Sequence, residues 1–95
     1  MKRLSWSEQA EADLEAIVEY IARENPMAAV RLGDDIVAQV ARLKFYPLLG
    51  RIGRVAGTRE LIMTHSPYLV IYTAEDDLRI LRVLHGARLW PPKAS

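Results

Sequence analysis

The chain has no cysteine, so neither a disulfide nor a thiolate metal site can form, and a reducing compartment is allowed. Long apolar runs are missing as well, and none approaches the length of a membrane span. The opening MKRLSWSEQAEADLE turns acidic before any apolar stretch begins, which is not a signal-peptide pattern. A cytoplasmic protein with no membrane partner is expected. The glycines do not spell a nucleotide loop: no Gly-Lys-Ser/Thr follows them, and they lack the strand before and the helix after that a dinucleotide site requires. Gly-x-Ser-x-Gly is also absent. His65 and His85 stand twenty residues apart without a His-x-x-Glu-His type spacing, so neither a metal site nor a cofactor is expected. No repeat, low-complexity tract or linker interrupts the chain, and residues 1–95 are expected to form one domain.

What is present is a globular composition, 51% hydrophobic and 26% charged. The net charge of +1 hides an asymmetry. Residues 1–35 carry four basic and eight acidic side chains, whereas residues 36–95 carry nine basic and four acidic. Ten of the thirteen basic residues are arginine, the side chain suited to forked contacts with phosphate or carboxylate. The basic half therefore suits a nucleic acid or an acidic protein segment, and equally a solvated surface that balances an acidic helix.

Three runs in the C-terminal half have strand composition: Thr58 to His65, Tyr68 to Ala74 and Leu78 to Leu84. Ser66-Pro67 and Glu75-Asp76-Asp77 separate them, and connections this short allow only antiparallel neighbours. The middle run, YLVIYTA, is apolar nearly throughout and reads as a central strand. On the third run, Arg82 alternates with Ile80 and Leu84, while Arg79 and His85 share parity with Leu81 and Val83. The pattern does not decide which set faces the core.

Upstream, Lys2 to Trp6 reads as a short strand with Leu4 and Trp6 on one face. Ser7 is a candidate N-cap, and Glu8, Glu11 and Asp13 suit the positive end of a helix. Leu14, Ile17, Val18 and Ile21 form its apolar stripe, and the helix should end near Glu24, ahead of Asn25-Pro26. Asn25 can cap a second helix with Pro26 at its first position and a stripe of Ala29, Leu32, Ile36, Val40 and Leu43, with Val37 beside them. Tyr46-Pro47 stops it. Residues 48–57 hold three glycines with Arg51 and Arg54 and are expected to be a loop with positive φ positions. The predicted fold is α+β, β-α-α-β-β-β, with a helical hairpin on one face of a mainly antiparallel four-stranded sheet.

The last strand empties into His85-Gly86-Ala87-Arg88-Leu89-Trp90-Pro91, which gathers a histidine, an arginine and a tryptophan at a strand end. Trp90 suits a packing anchor for the tail or a stacking platform. Arg88 is either a functional cation or the partner of an acidic residue such as Glu60. Arg59 and Glu60 lie on the first meander strand with side chains on opposite faces.

Several of these stretches, taken in register, resemble one family. They are Tyr20-Ile21-Ala22-Arg23-Glu24-Asn25-Pro26 with Ala28-Ala29, Gly57-Thr58-Arg59-Glu60-Leu61, Pro67-Tyr68, Tyr72, and Val83-Leu84-His85-Gly86-Ala87-Arg88. The resemblance is to the RelE/ParE superfamily, the toxins of bacterial type II toxin–antitoxin modules, and it spans nearly the whole chain. Closest in character is the ParE branch, whose members act on DNA gyrase; members of the RelE branch cut messenger RNA on the ribosome. The resemblance implies a growth-inhibiting toxin, neutralised by a cognate antitoxin in a hetero-oligomer, with gyrase as leading target. It further implies an antitoxin tail that meets the Arg51/Arg54 loop, and a target surface drawn from Arg59, His85, Arg88 and Trp90. The alternatives are a ribosome-dependent mRNA endonuclease and an inactive toxin-fold binding module. RelE-type toxins take their catalytic groups from lysines on the first meander strand, an arginine on the second, and an arginine and a tyrosine beyond the last. Matching motifs put the lysine positions on Glu60 and Ile62 and the first arginine position on Leu69. Only Arg88 fits, with His85 as a nearby acid–base group.

Overall fold

The computed structural model describes residues 1–86 and 90–91. The chain forms β1 (Leu4–Trp6), α1 (Glu8–Ala22), α2 (Pro26–Ala41), a 3-10 turn (Arg42–Lys44), β2 (Arg51–Ile52), β3 (Arg59–Ile62), β4 (Tyr68–Ala74) and β5 (Leu78–His85). The helix starts follow from local chemistry. Ser7 Oγ accepts from the Ala10 amide at 3.0 Å, and Asn25 Oδ1 accepts from the Ala28 amide at 3.0 Å, with Pro26 in the first turn of α2. No helix among the described residues is long and apolar enough to cross a membrane.

The sheet has strand order β1-β5-β4-β3-β2; β1 runs parallel to β5 and every other pair is antiparallel. It therefore has five strands where four were expected. The addition is β2, two residues inside the segment read as a loop: Arg51 pairs with Glu60 and Ile52 with Arg59. Of the three glycines there, only Gly57 takes a positive φ, +83°. Gly50 serves close approach instead, since a Cβ on it would stand 2.7 Å from the Tyr72 ring. The buried Tyr72 hydroxyl accepts from the Gly50 amide at 2.9 Å and donates to the Pro47 carbonyl at 2.8 Å, tying this segment to β4.

Both helices pack on one face of the sheet. The main core joins Ala10, Ile36, Val40 and Leu43 to Leu61, Val70, Tyr72, Leu78, Ile80 and Val83. Val37, placed beside the α2 stripe from sequence, is 47% exposed. A smaller cluster lies on the opposite, helix-free face: Leu69, Ile71 and Leu84, with Leu81 and Trp90 packed against them. The parity left open on β5 is resolved by a bulge. Ile71 pairs with Arg82 but Tyr72 pairs with Ile80, so Leu81 has no opposite number. Below the bulge Leu78 and Ile80 face the helices; above it Val83 does. Neither alternating set is all in or all out.

Candidate functional site: the helix-free face

Cross-strand register lays two rows of side chains across the helix-free face. Arg51, Glu60, Ile71 and Arg82 stand opposite one another on β2, β3, β4 and β5, and Ile62, Leu69 and Leu84 form the next row. The first row has a cation at each end, and each cation is held by a carboxylate.

At the β2 end, Glu60 is 1% exposed. Arg51 donates to its Oε1 through Nη2 at 2.8 Å and Nε at 3.2 Å, and the Arg54 amide donates to Oε2 at 3.0 Å. The Arg54 guanidinium lies 3.8 Å from the same carboxylate. Burial pushes the Glu60 carboxyl up; the Arg54 amide and the two arginine cations outweigh it and hold it below its usual range. Both arginine side chains remain about half exposed, at 51% and 50%. Arg54 also donates from Nη1 to the Trp90 carbonyl at 3.4 Å, which brings the loop to the tail.

At the β5 end, Asp13 of α1 accepts from Arg82 Nε at 2.7 Å, from Arg82 Nη2 at 3.1 Å and from the Val83 amide at 3.0 Å. Here too burial raises the carboxyl, and the Arg82 fork with the Val83 amide brings it below its usual value. The Arg82 guanidinium lies 5.9 Å from the Trp90 ring centroid, linking α1 to the tail through a cation–π contact. Sequence reading placed Asp13 at the helix N-terminus as a dipole complement; it serves instead as the inward clamp on the β5 edge. The signal was available, since Asp13 shares the apolar stripe of Ala10, Leu14 and Ile17 and so needed a buried partner.

The candidate residues from sequence fall in different places. Arg51 and Arg54 sit together on the Glu60 carboxylate. Trp90 lies on the helix-free cluster. His85 pairs with Tyr68 in register, their rings meeting edge-on at 5.7 Å, and borders a groove with Ala16, Ile17 and Tyr20 of α1. It belongs to the helix side, away from Trp90. Arg59 also faces that side: it stands opposite the buried Tyr72 and donates to the Gly50 carbonyl at 2.8 Å. Arg88 lies outside the described residues. His65 is an exposed turn residue with φ of 62°. No group of three metal-ligating side chains occurs among the described residues. Glu60, Ile62 and Leu69 line one small region of the helix-free face; Glu60 and Leu69 are buried there and Ile62 is 56% exposed.

An α+β domain with this order of elements is shared with known toxins. Residues 4–90 match the family described as the ParE toxin of type II toxin–antitoxin systems, parDE. The chain belongs to that family, and so to the toxins of type II toxin–antitoxin systems within the RelE/ParE superfamily. It is 39% identical over 90 residues to Y4kP of Sinorhizobium fredii (strain NBRC 101917 / NGR234), covering 95% of this chain and 94% of that protein. It is 38% identical over 90 residues to "Toxin RelE2" of Caulobacter vibrioides (strain ATCC 19089 / CIP 103742 / CB 15), covering 94% of this chain and all of that one, 100%. A solved structure described as the chromosomal ParDE TA system from P. aeruginosa is similar with a TM-score of 0.83 and 30% identity, over 90% of this chain and 96% of that one.

Proposed function

We propose that this toxin arrests growth by inhibiting DNA gyrase and that a cognate antitoxin neutralises it by engaging the Arg51/Arg54 side of the molecule. One observation carries the choice of target. At the positions where RNA-cutting relatives place two lysines and an arginine, this chain has Glu60, Ile62 and Leu69, side by side on the helix-free face. Cutting RNA with its own 2′-hydroxyl requires cations around a crowded phosphate and an acid–base pair beside it. A carboxylate held ionised in that place repels a phosphate instead of stabilising it. Inhibition by binding needs no such assembly. In this reading Arg88 and Trp90 contact the target, while His85 and Arg59, on the opposite face of the sheet from Trp90, lie outside that contact. The antitoxin reading is supported by the similar ParDE assembly.

The test pairs two assays on the purified chain: DNA supercoiling by gyrase, and transcript cleavage on ribosomes. Loss of supercoiling without cleavage is the expected result, reversed by the antitoxin encoded beside the toxin. His85→Ala should leave supercoiling inhibition near its original level. Specific transcript cleavage that His85→Ala abolishes would replace the gyrase reading with the mRNA endonuclease named in the sequence reading, a substitution that the similarity to "Toxin RelE2" makes worth testing.

A further inference from the structure

Next to the Glu60 cluster the helix-free face is concave. A cleft of about 180 Å³ is lined by Arg51 and Arg54 on one side and by Ile62, Pro67 and Leu69 on the other, with Ser66 and Gly86 at its end. Its cationic wall is held in part: the buried Glu60 carboxylate forks the Arg51 guanidinium and accepts from the Arg54 amide, with the Arg54 guanidinium 3.8 Å away, and each guanidinium keeps donors that Glu60 does not use. A second feature is the Ser66 hydroxyl, which is shut off from solvent and has no hydrogen-bond partner among the described residues. Buried hydroxyls are ordinarily satisfied, and this unpaired one belongs to a residue that lines the same cleft.

The geometry points to a subsite on the helix-free face, between Arg51/Arg54 and Ile62/Leu69, that takes one carboxylate side chain from an acidic segment of the antitoxin. This rests on the antitoxin reading above and adds to it the chemistry of one contact. Three observations select a carboxylate over a phosphate. Two arginines against one glutamate leave a single positive charge, which one carboxylate neutralises and a phosphate monoester, approaching two negative charges, oversupplies. The cleft is smaller than the roughly 300 Å³ at which pockets begin to hold whole small ligands, so a side chain fits and a nucleotide does not. Its opposite wall is apolar, with Ile62 56% exposed, which suits an apolar residue next to the acidic one on an extended peptide.

The test uses nuclear magnetic resonance titration of the labelled chain, followed by antitoxin binding. Ac-Glu-NH2, which carries one carboxylate, should shift the Arg51 and Arg54 Nε–H signals, and uncharged Ac-Gln-NH2 should not. Ile62→Glu places a competing carboxylate at the mouth of the cleft. It should abolish the titration and weaken the antitoxin complex about tenfold, the scale of one charge-assisted hydrogen bond, while Ile62→Gln, which removes the apolar wall without adding charge, weakens both clearly less. Unmoved Arg51 and Arg54 signals, or equal effects of Ile62→Glu and Ile62→Gln, would overturn the subsite. Inorganic phosphate acting at a tenth of the Ac-Glu-NH2 concentration would assign the cleft to phosphate and overturn it as well. If the antitoxin binds and restores growth while these arms fail, only the subsite falls; if it does neither, the antitoxin reading itself falls.

Discussion

The two ends of the Arg51–Glu60–Ile71–Arg82 row use the same chemistry for different ends. At β5, one carboxylate serves one arginine, and both are largely covered, with side chains 9% and 18% exposed for Asp13 and Arg82. The fork to Asp13, which also accepts from the Val83 amide, and the Trp90 ring together cover that arginine, so it works as a fastening between α1, β5 and the tail. At β2, one fully covered carboxylate serves two arginines that remain half exposed. There the buried charge holds cations up to the solvent. An arginine forked to a carboxylate and largely covered stabilises the fold; one forked in the same way but half open to solvent is available for recognition.

The largest effect should come from breaking the covered pair. Asp13→Ala strands the Arg82 guanidinium and the Val83 amide together, and a buried pair broken on one side costs about 3 kcal/mol or more. Urea unfolding should show the midpoint moved far down, and the Trp90 environment should change with it through Arg82. A loss under about 1 kcal/mol would mean that the clamp is dispensable and the contrast between the two ends is false.

Acid should sharpen the comparison at intermediate cost. Asp13 and Glu60 both sit below their ordinary values of 3.8 and 4.5 in the folded chain. A lowered folded value means stability that is fully present above the unfolded value and lost as the pH falls through the folded one. Stability should therefore hold at neutral pH and decline progressively below about 4.5. Glu60→Gln should flatten that decline and also lower stability at pH 7 by about 2 kcal/mol, because the Arg51 fork and the Arg54 amide lose a charged acceptor. An acid limb identical in the variant and the original chain would exclude Glu60 as one of its sources.

The smallest stability change is expected from the exposed cations themselves. Arg51→Gln and Arg54→Gln should each cost about 1 kcal/mol, less than Glu60→Gln because the other arginine still faces the carboxylate. Their effect should fall also on the antitoxin complex, weakening it and reducing its dependence on salt. A double variant that binds the antitoxin as tightly as the original chain does, at low salt and at high, would remove this end from the interface.

Much of the fold was legible because it is local. The cap at Ser7, the Asn25-Pro26 start of α2, the apolar run of β4 and the turn residues between strands each act within a few positions of themselves. The α1 stripe, the antiparallel meander and the arginine-rich C-terminal half are likewise properties of neighbouring residues, and together they specify α+β. Most of the site depends on distance in sequence. Asp13 meets Arg82 and Val83 across 69 and 70 residues, and no local pattern names that partner. β2 forms because Gly50 lets Tyr72 approach and Glu60 draws in Arg51, two conditions set by β3 and β4. The bulge at Leu81 decides which side chains of β5 face the helices, and His85 and Trp90 end on opposite faces of the sheet. Alternation along a strand says only that two faces exist. Which face meets the helices, and where the register slips, is settled by packing against elements that are distant in the chain.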